Sequence, residues 1–223
     1  MMTYTRRRLL AMGGATATAA LAGCTGRLEG TLSAGPATVS ADARAETGYD
    51  EHAVEELVVE RTVGRFGIER TIEATNWYAE YDRAIALDSL GLTRAQAAVT
   101  AVLTTPQVSV LGRTFNPVGD LSTAELVTMI QNRYDGLESV EFEDETTLSI
   151  LGSETTVDRY VAEARLVDVG TTVDVYLQVS EPVEHGEDFV ICIAVYPQAL
   201  GFETESDAVE TMFEGLEHDA ESD

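Results

Sequence analysis

Ile68-Glu69-Arg70-Thr71-Ile72-Glu73-Ala74-Thr75-Asn76-Trp77-Tyr78-Ala79-Glu80-Tyr81 is a run of β-branched and aromatic residues free of glycine and proline. Side chains of these types pack well on a pleated surface. A similar run, Leu57-Val58-Val59-Glu60-Arg61-Thr62-Val63-Gly64-Arg65-Phe66, precedes it, and Gly67 joins the two. Together they predict a long β-hairpin.

Outward from the hairpin the chain reads mainly as strands. Ala97 to Thr104 predicts one, ended by Pro106; Ser139 to Leu151, Thr155 to Val167, Thr172 to Val179 and Asp188 to Tyr196 predict four more. In Val173-Asp174-Val175-Tyr176-Leu177-Gln178-Val179 the apolar residues alternate, as one covered face requires. Phe189-Val190-Ile191-Cys192-Ile193-Ala194-Val195-Tyr196 is unbroken and apolar, the pattern of a buried central strand in which Cys192 packs as a small hydrophobe.

Helical signals are fewer. Val39 to Thr47 predicts a short helix stopped by Gly48. Ser122-Thr123-Ala124-Glu125 is a capping box, followed by a stripe of Leu126, Val127, Ile130 and Tyr134 and terminated at Gly136. Val209, Met212, Phe213 and Leu216 recur at helical spacing and define one apolar face. Strands in runs with helices between and after them predict an α+β domain, an antiparallel β-sheet covered by helices. The expected organisation is a signal peptide over 1–23, a lipidated N-terminus and flexible tether over 24–36, a single domain over 37–217 and an acidic tail over 218–223.

The 223 residues carry 39 acidic and 14 basic side chains, a formal net charge of -25, and every base is arginine. At such an excess self-repulsion opposes compaction, yet 44% hydrophobic residues argue for a packed core. Molar salt reconciles the two, because the Debye length there falls to about 3 Å. A surface rich in carboxylates and devoid of lysine resembles the proteins of extreme halophiles such as haloarchaea. No basic stripe is present to displace counterions, so nucleic acid is excluded as a partner class.

Thr5-Arg6-Arg7-Arg8-Leu9-Leu10 resembles the twin-arginine export motif, with Arg6 and Arg7 as its pair. The run from Leu9 to Ala22 is shorter than the ~20 residues that span a bilayer as a helix, and so reads as a signal segment. Leu21-Ala22-Gly23-Cys24 resembles a lipobox, in which the cysteine sulfur is lipidated after cleavage before it. The competing reading is an uncleaved anchor helix flanked by Arg6 to Arg8. Lipid on Cys24 would tether the protein to the extracytoplasmic face of the cell membrane.

Asn76-Trp77-Tyr78-Ala79-Glu80-Tyr81, Leu111-Gly112-Arg113-Thr114-Phe115-Asn116-Pro117-Val118-Gly119-Asp120-Leu121 and Asp188 to Pro197 resemble a haloarchaeal family of uncharacterised, twin-arginine-exported lipoproteins. That resemblance implies no activity. More distantly, the order of hairpin, helix, long strands and final helix is similar to the fold of photosystem oxygen-evolving-complex accessory proteins and of a Ran-binding nuclear import factor; no functional residue carries over.

Catalytic signals are sparse. The sequence contains no Gly-x-Ser-x-Gly elbow, no His-Glu-x-x-His helix and no phosphate-cradling Gly-Lys loop, and the absence of lysine excludes Schiff-base chemistry. No catalytic residue, metal ligand or cofactor is assigned. His185 with Glu187 and Asp188 reads either as a cation site or, as expected, as a polar turn. Trp77 with Tyr81 on one strand face reads as a stacking platform or as core, with core packing expected. The loop from Val110 to Leu121, with Arg113, Phe115 and Asn116, reads as a binding surface or as a crossover pinning the capped helix to the sheet. The expectation for function is a non-enzymatic domain that binds an unknown protein partner or assists assembly. The alternatives are a small-ligand carrier or sensor and, third, a hydrolase built around His185 or His52.

Overall fold

The computed structural model describes residues 32–65, 68–87, 92–107, 109–110, 113–114, 119, 121–133, 136–166, 171–200 and 202–219. Strands β1 (Leu32–Ser33) and β2 (Ala37–Val39) lead into helix α1 (Ala41–Thr47), which stops at Gly48 in the left-handed region, φ 75°. The predicted hairpin is β3 (Asp50–Arg65) and β4 (Ile68–Leu87). After β5 (Leu92–Pro106) come the two-residue strands β6 (Ser109–Val110) and β7 (Arg113–Thr114), then α2 (Thr123–Arg133). Strands β8 (Leu137–Ile150), β9 (Ser153–Leu166), β10 (Thr171–Ser180), β11 (Val183–His185) and β12 (Asp188–Pro197) follow in succession. A 3-10 turn at Gln198–Leu200 precedes α3 (Phe202–Glu214) and β13 (Leu216–His218).

Nine strands form one sheet along the path β1-β4-β5-β12-β10-β9-β8, with β3 also on β4 and β11 also on β12. Its pairs are antiparallel except β1 on β4, where Leu32 lies opposite Ala74 in parallel. This corrects the expected α+β domain with an antiparallel sheet covered by helices: the molecule is mostly strand and its main sheet is mixed. Length explains why the helices do not cover it. Strands β3, β4, β8 and β9 have 16, 20, 14 and 14 residues, or about 45–65 Å at the strand rise. The helices have 7, 11 and 13 residues, about 10–20 Å of helix each.

Central strand β12 lies between β5 and β10 and is buried on both sides. Val190, Cys192, Ala194 and Tyr196 face one core with Ala43 of α1, Val209, Met212 and Phe213 of α3, and Leu216 of β13. Ile191, Ile193 and Val195 face the other, with Leu126 and Val127 of α2. Burial on both faces accounts for the unbroken apolar run. Residue Gln178, on the polar phase of the alternating β10 run, is also buried, at 2% exposure.

The segment before α1 is fastened to the sheet residue by residue. Amides of Ala34, Ala37 and Val39 donate to the Thr75 carbonyl, Thr104 Oγ1 and Tyr81 Oη, at 2.9, 3.3 and 2.9 Å. Residues 32–36, read from sequence as the end of a tether, therefore belong to the folded body. At the other terminus β13 pairs with β2, setting Leu216 opposite Val39 and His218 opposite Ala37. Among the described residues no helix is long and apolar enough to cross a membrane.

Candidate functional site

Two groups of titratable side chains are buried on the face that carries α1 and α3. The first arises where the two ends of the domain meet the β11–β12 hairpin. The turn through Gly186, φ 65°, sets His185 opposite Asp188, and the β13–β2 pairing brings His218 against them. His218 Nε2 lies 3.1 Å from Asp188 Oδ2, and His218 Nδ1 lies 2.9 Å from His185 Nδ1. The Gly35 amide donates to the same Asp188 oxygen at 2.9 Å. Side-chain exposure is 0% for His218 and 7% for Asp188. Position 35 tolerates only glycine, because a Cβ there would sit 2.8 Å from the Asp219 carbonyl oxygen and 3.3 Å from His218 Nε2.

A carboxylate only accepts, so His218 donates from Nε2; with that imidazole neutral its Nδ1 accepts from His185 Nδ1, and with it cationic the direction of the Nδ1 contact reverses. The result is a chain, His185 to His218 to Asp188, of the kind that orients an imidazole for acid–base work. Here the middle imidazole is sealed inside the protein.

The second group surrounds Glu205 of α3, which is 1% exposed. Tyr49 Oη donates to Glu205 Oε1 at 2.9 Å, and Arg83 Nη2 forms an ion pair with Oε2. Arg83 Nη1 donates to the Thr47 carbonyl at 2.8 Å, and its guanidinium lies 5.4 Å from the Tyr49 ring centroid. Burial, and after it the Glu205 charge, pushes the Tyr49 phenol well above its ordinary value. Gln178 Nε2 contacts Tyr196 Oη and Ser206 Oγ at 3.2 and 3.4 Å, and Ser206 donates to Glu210 at 3.2 Å.

The residues singled out from sequence are dispersed. Strand β4 puts Trp77 on the same side as Ala79 and Tyr81, but Tyr81 is 0% exposed and bonded to Val39, so the two do not form an open stacking platform. Tyr78, on the opposite side, donates to Glu80 at 2.8 Å. Arg113 pairs through its backbone with Val110 in the small β6–β7 ladder. Phe115 and Asn116 lie outside the described residues, as do Arg6, Arg7, Cys24 and Tyr134. The far end of that loop packs on the sheet: a Cβ at Gly119 would meet the Phe189 ring at 2.7 Å, and Leu121 joins the α2 core.

Histidine 52 occupies a bulge in β3, 3.3 Å from Asp82 and largely exposed. His185 and Asp188 meet through His218, while Glu187 is exposed. Asp188 turns inward to His218 and Gly35, and no group of three or more His, Cys, Asp or Glu among the described residues is arranged around a metal position. Cys192 is a free, buried thiol pushed up to about 12 by burial.

Sequence reading missed Gly35, Tyr49, Arg83, Glu205 and the partnership of His218, which it placed in the acidic tail. The available signal was scarcity: with only three histidines in the chain, one beside the final apolar face had good reason to be structural.

No curated protein matches the chain. One family model, a domain of unknown function (DUF6517), matches residues 36–217; it takes in His185, Asp188 and Glu205, while Gly35 and His218 lie one residue beyond either end. The match spans most of the sequence, and the chain belongs to the DUF6517 family.

Proposed function

We propose that this is a lipid-anchored, extracytoplasmic protein of a halophile, exported by the twin-arginine route and cleaved before Cys24, whose folded domain binds a partner protein or assists assembly at the cell surface. The observation that carries the address is the order Thr5-Arg6-Arg7-Arg8-Leu9-Leu10, a short apolar run, then Leu21-Ala22-Gly23-Cys24. The lysine-free acidic composition suits a domain that folds and works in brine.

Burial supports binding over chemistry. The imidazole at the centre of the histidine chain and the carboxylate of Glu205 are both sealed, and Tyr49 holds its proton. The small-ligand alternative loses half of its platform, since Tyr81 is core. Replacing Cys24 by alanine should move the protein from the membrane to the soluble fraction; retention in the membrane would overturn the anchor. Pulldown from detergent-solubilised membranes at high salt should return the same partner repeatedly, and repeated recovery of none would overturn the binding role.

A further inference from the structure

We propose that His185, His218 and Asp188 form an acid-sensitive clasp, closed while the two imidazoles share one proton across their Nδ1 contact and opened when both Nδ1 atoms are protonated. Three segments remote in sequence converge there: Gly35 at the entry of the domain, the β11–β12 hairpin, and β13 at its exit. The clasp therefore ties the entry and the exit of the domain to one point on the sheet.

The proton inventory sets the switch. At 2.9 Å the two Nδ1 atoms are at hydrogen-bond distance, which requires one donor and one acceptor. With both imidazoles neutral, His185 donates, His218 accepts, and His218 Nε2–H faces Asp188. One added proton fits: whether it resides on His185 or on His218, the contact keeps one N–H and one lone pair, and Asp188 balances the charge. A second added proton makes both Nδ1 atoms donors, turning the contact into repulsion between two cations with one carboxylate beside them.

Among the described residues the two imidazoles contact each other and Asp188, and the Asp219 side chain is exposed. Strand β12 contributes Asp188, β11 contributes His185 and β13 contributes His218; the segment before β2 offers only the Gly35 amide, and residue 219 its backbone carbonyl near Gly35. Of the hairpin's other acids, Glu184 is exposed and bonded to Gln107 at 3.1 Å, and Glu187 is exposed; Glu217 of β13 is exposed as well. His185 is itself only partly buried, which gives protons a route in. The ladder that the clasp secures is short, three residue pairs between β2 and β13, and its opening exposes Ala37, Val39 and Leu216 while the long strands stay paired.

Hydrogen exchange on the full chain in molar salt, corrected for the intrinsic pH dependence of exchange, tests this. On acidification, amides of residues 34–39 and 216–218 should lose protection by about tenfold or more while β9 and β10 keep theirs. His185→Gln can still donate to His218 but does not titrate, and should move that loss at least about one pH unit lower. Asp188→Asn keeps an acceptor but cannot balance an imidazolium, and should move it higher. Loss at the same pH in all three proteins, or loss across the whole sheet at once, overturns the clasp. Imidazole nitrogen NMR of the unmodified protein decides the matter should either variant fail to fold: both rings doubly protonated with residues 34–39 and 216–218 still protected also overturns it.

Discussion

The two faces of the sheet are held down by different means. On the face with α1 and α3, a core of Tyr81, Tyr196, Met212 and Phe213 is interrupted by Glu205 with Arg83 and Tyr49, by Gln178 with Tyr196 and Ser206, and by Asp188 with two histidines. On the α2 face, Leu126 and Val127 meet Leu177, Val179 and Ile191, and polar contacts among the described residues include Tyr160 with Thr123 and Asp158, and Tyr78 with Glu80. Apolar burial is non-directional and tolerates sliding. A buried charge or hydroxyl demands a particular partner. The polar face therefore specifies which remote segments meet, positions 35, 49, 83, 188, 205 and 218 among them, whereas the apolar face supplies cohesion around a capped helix.

The largest expected effect breaks the polar face. Arg83→Ala leaves Glu205 charged and buried without its cation, which should cost about 3–5 kcal/mol in denaturant unfolding at constant salt. On the apolar face Leu177→Ala should cost about 3 kcal/mol by leaving a cavity, while Leu177→Met should cost less than about 1.5 kcal/mol. No apolar exchange at Arg83 alone should recover the loss there, because Glu205 stays charged and buried.

At the start of α2 the Ser122 amide and hydroxyl both donate to Glu125, at 3.0 and 2.8 Å, and hold its carboxyl below the ordinary value. Ser122→Ala should cost about 1 kcal/mol and act on α2 without loosening α3.

Titration probes the burial of the α3 face as well. The folded Tyr49 phenol binds its proton more tightly than the unfolded one, whose ordinary value is 10.0. Its contribution is complete below pH 10 and is lost as pH rises beyond that, because the unfolded state then releases the proton first. Alkaline unfolding should be shallower in Tyr49→Phe. The smallest effect is a null: Cys192, its thiol pushed up to about 12, should not react with thiol reagents until the protein unfolds.

The sequence disclosed what depends on local pattern. The hairpin, the four later long strands, the Ser122–Glu125 box and the Gly48 stop all rest on side-chain type or period, and strands or helices stand at those places. What it hid depends on topology. Leu32–Ser33 carries no strand pattern of its own and becomes β1 because β4 extends past the end of β5 and offers it an edge. That pairing makes the sheet mixed, and no periodicity announces it. His218 sits among acids in sequence and is buried because β13 folds back on β2. Glu205 and Arg83 were hidden for the same reason: in a chain with 39 carboxylates, nothing in composition marks the one that meets an arginine inside the core.

The claim that the α3 face is fastened by specific buried partners is tested most directly by a double-mutant cycle on Arg83 and Glu205, with unfolding free energies for Arg83→Leu, Glu205→Leu and the pair. The fastening account predicts that the double variant recovers most of the loss seen in Arg83→Leu, with a coupling above about 2 kcal/mol. Losses that add to within about 0.5 kcal/mol would contradict it.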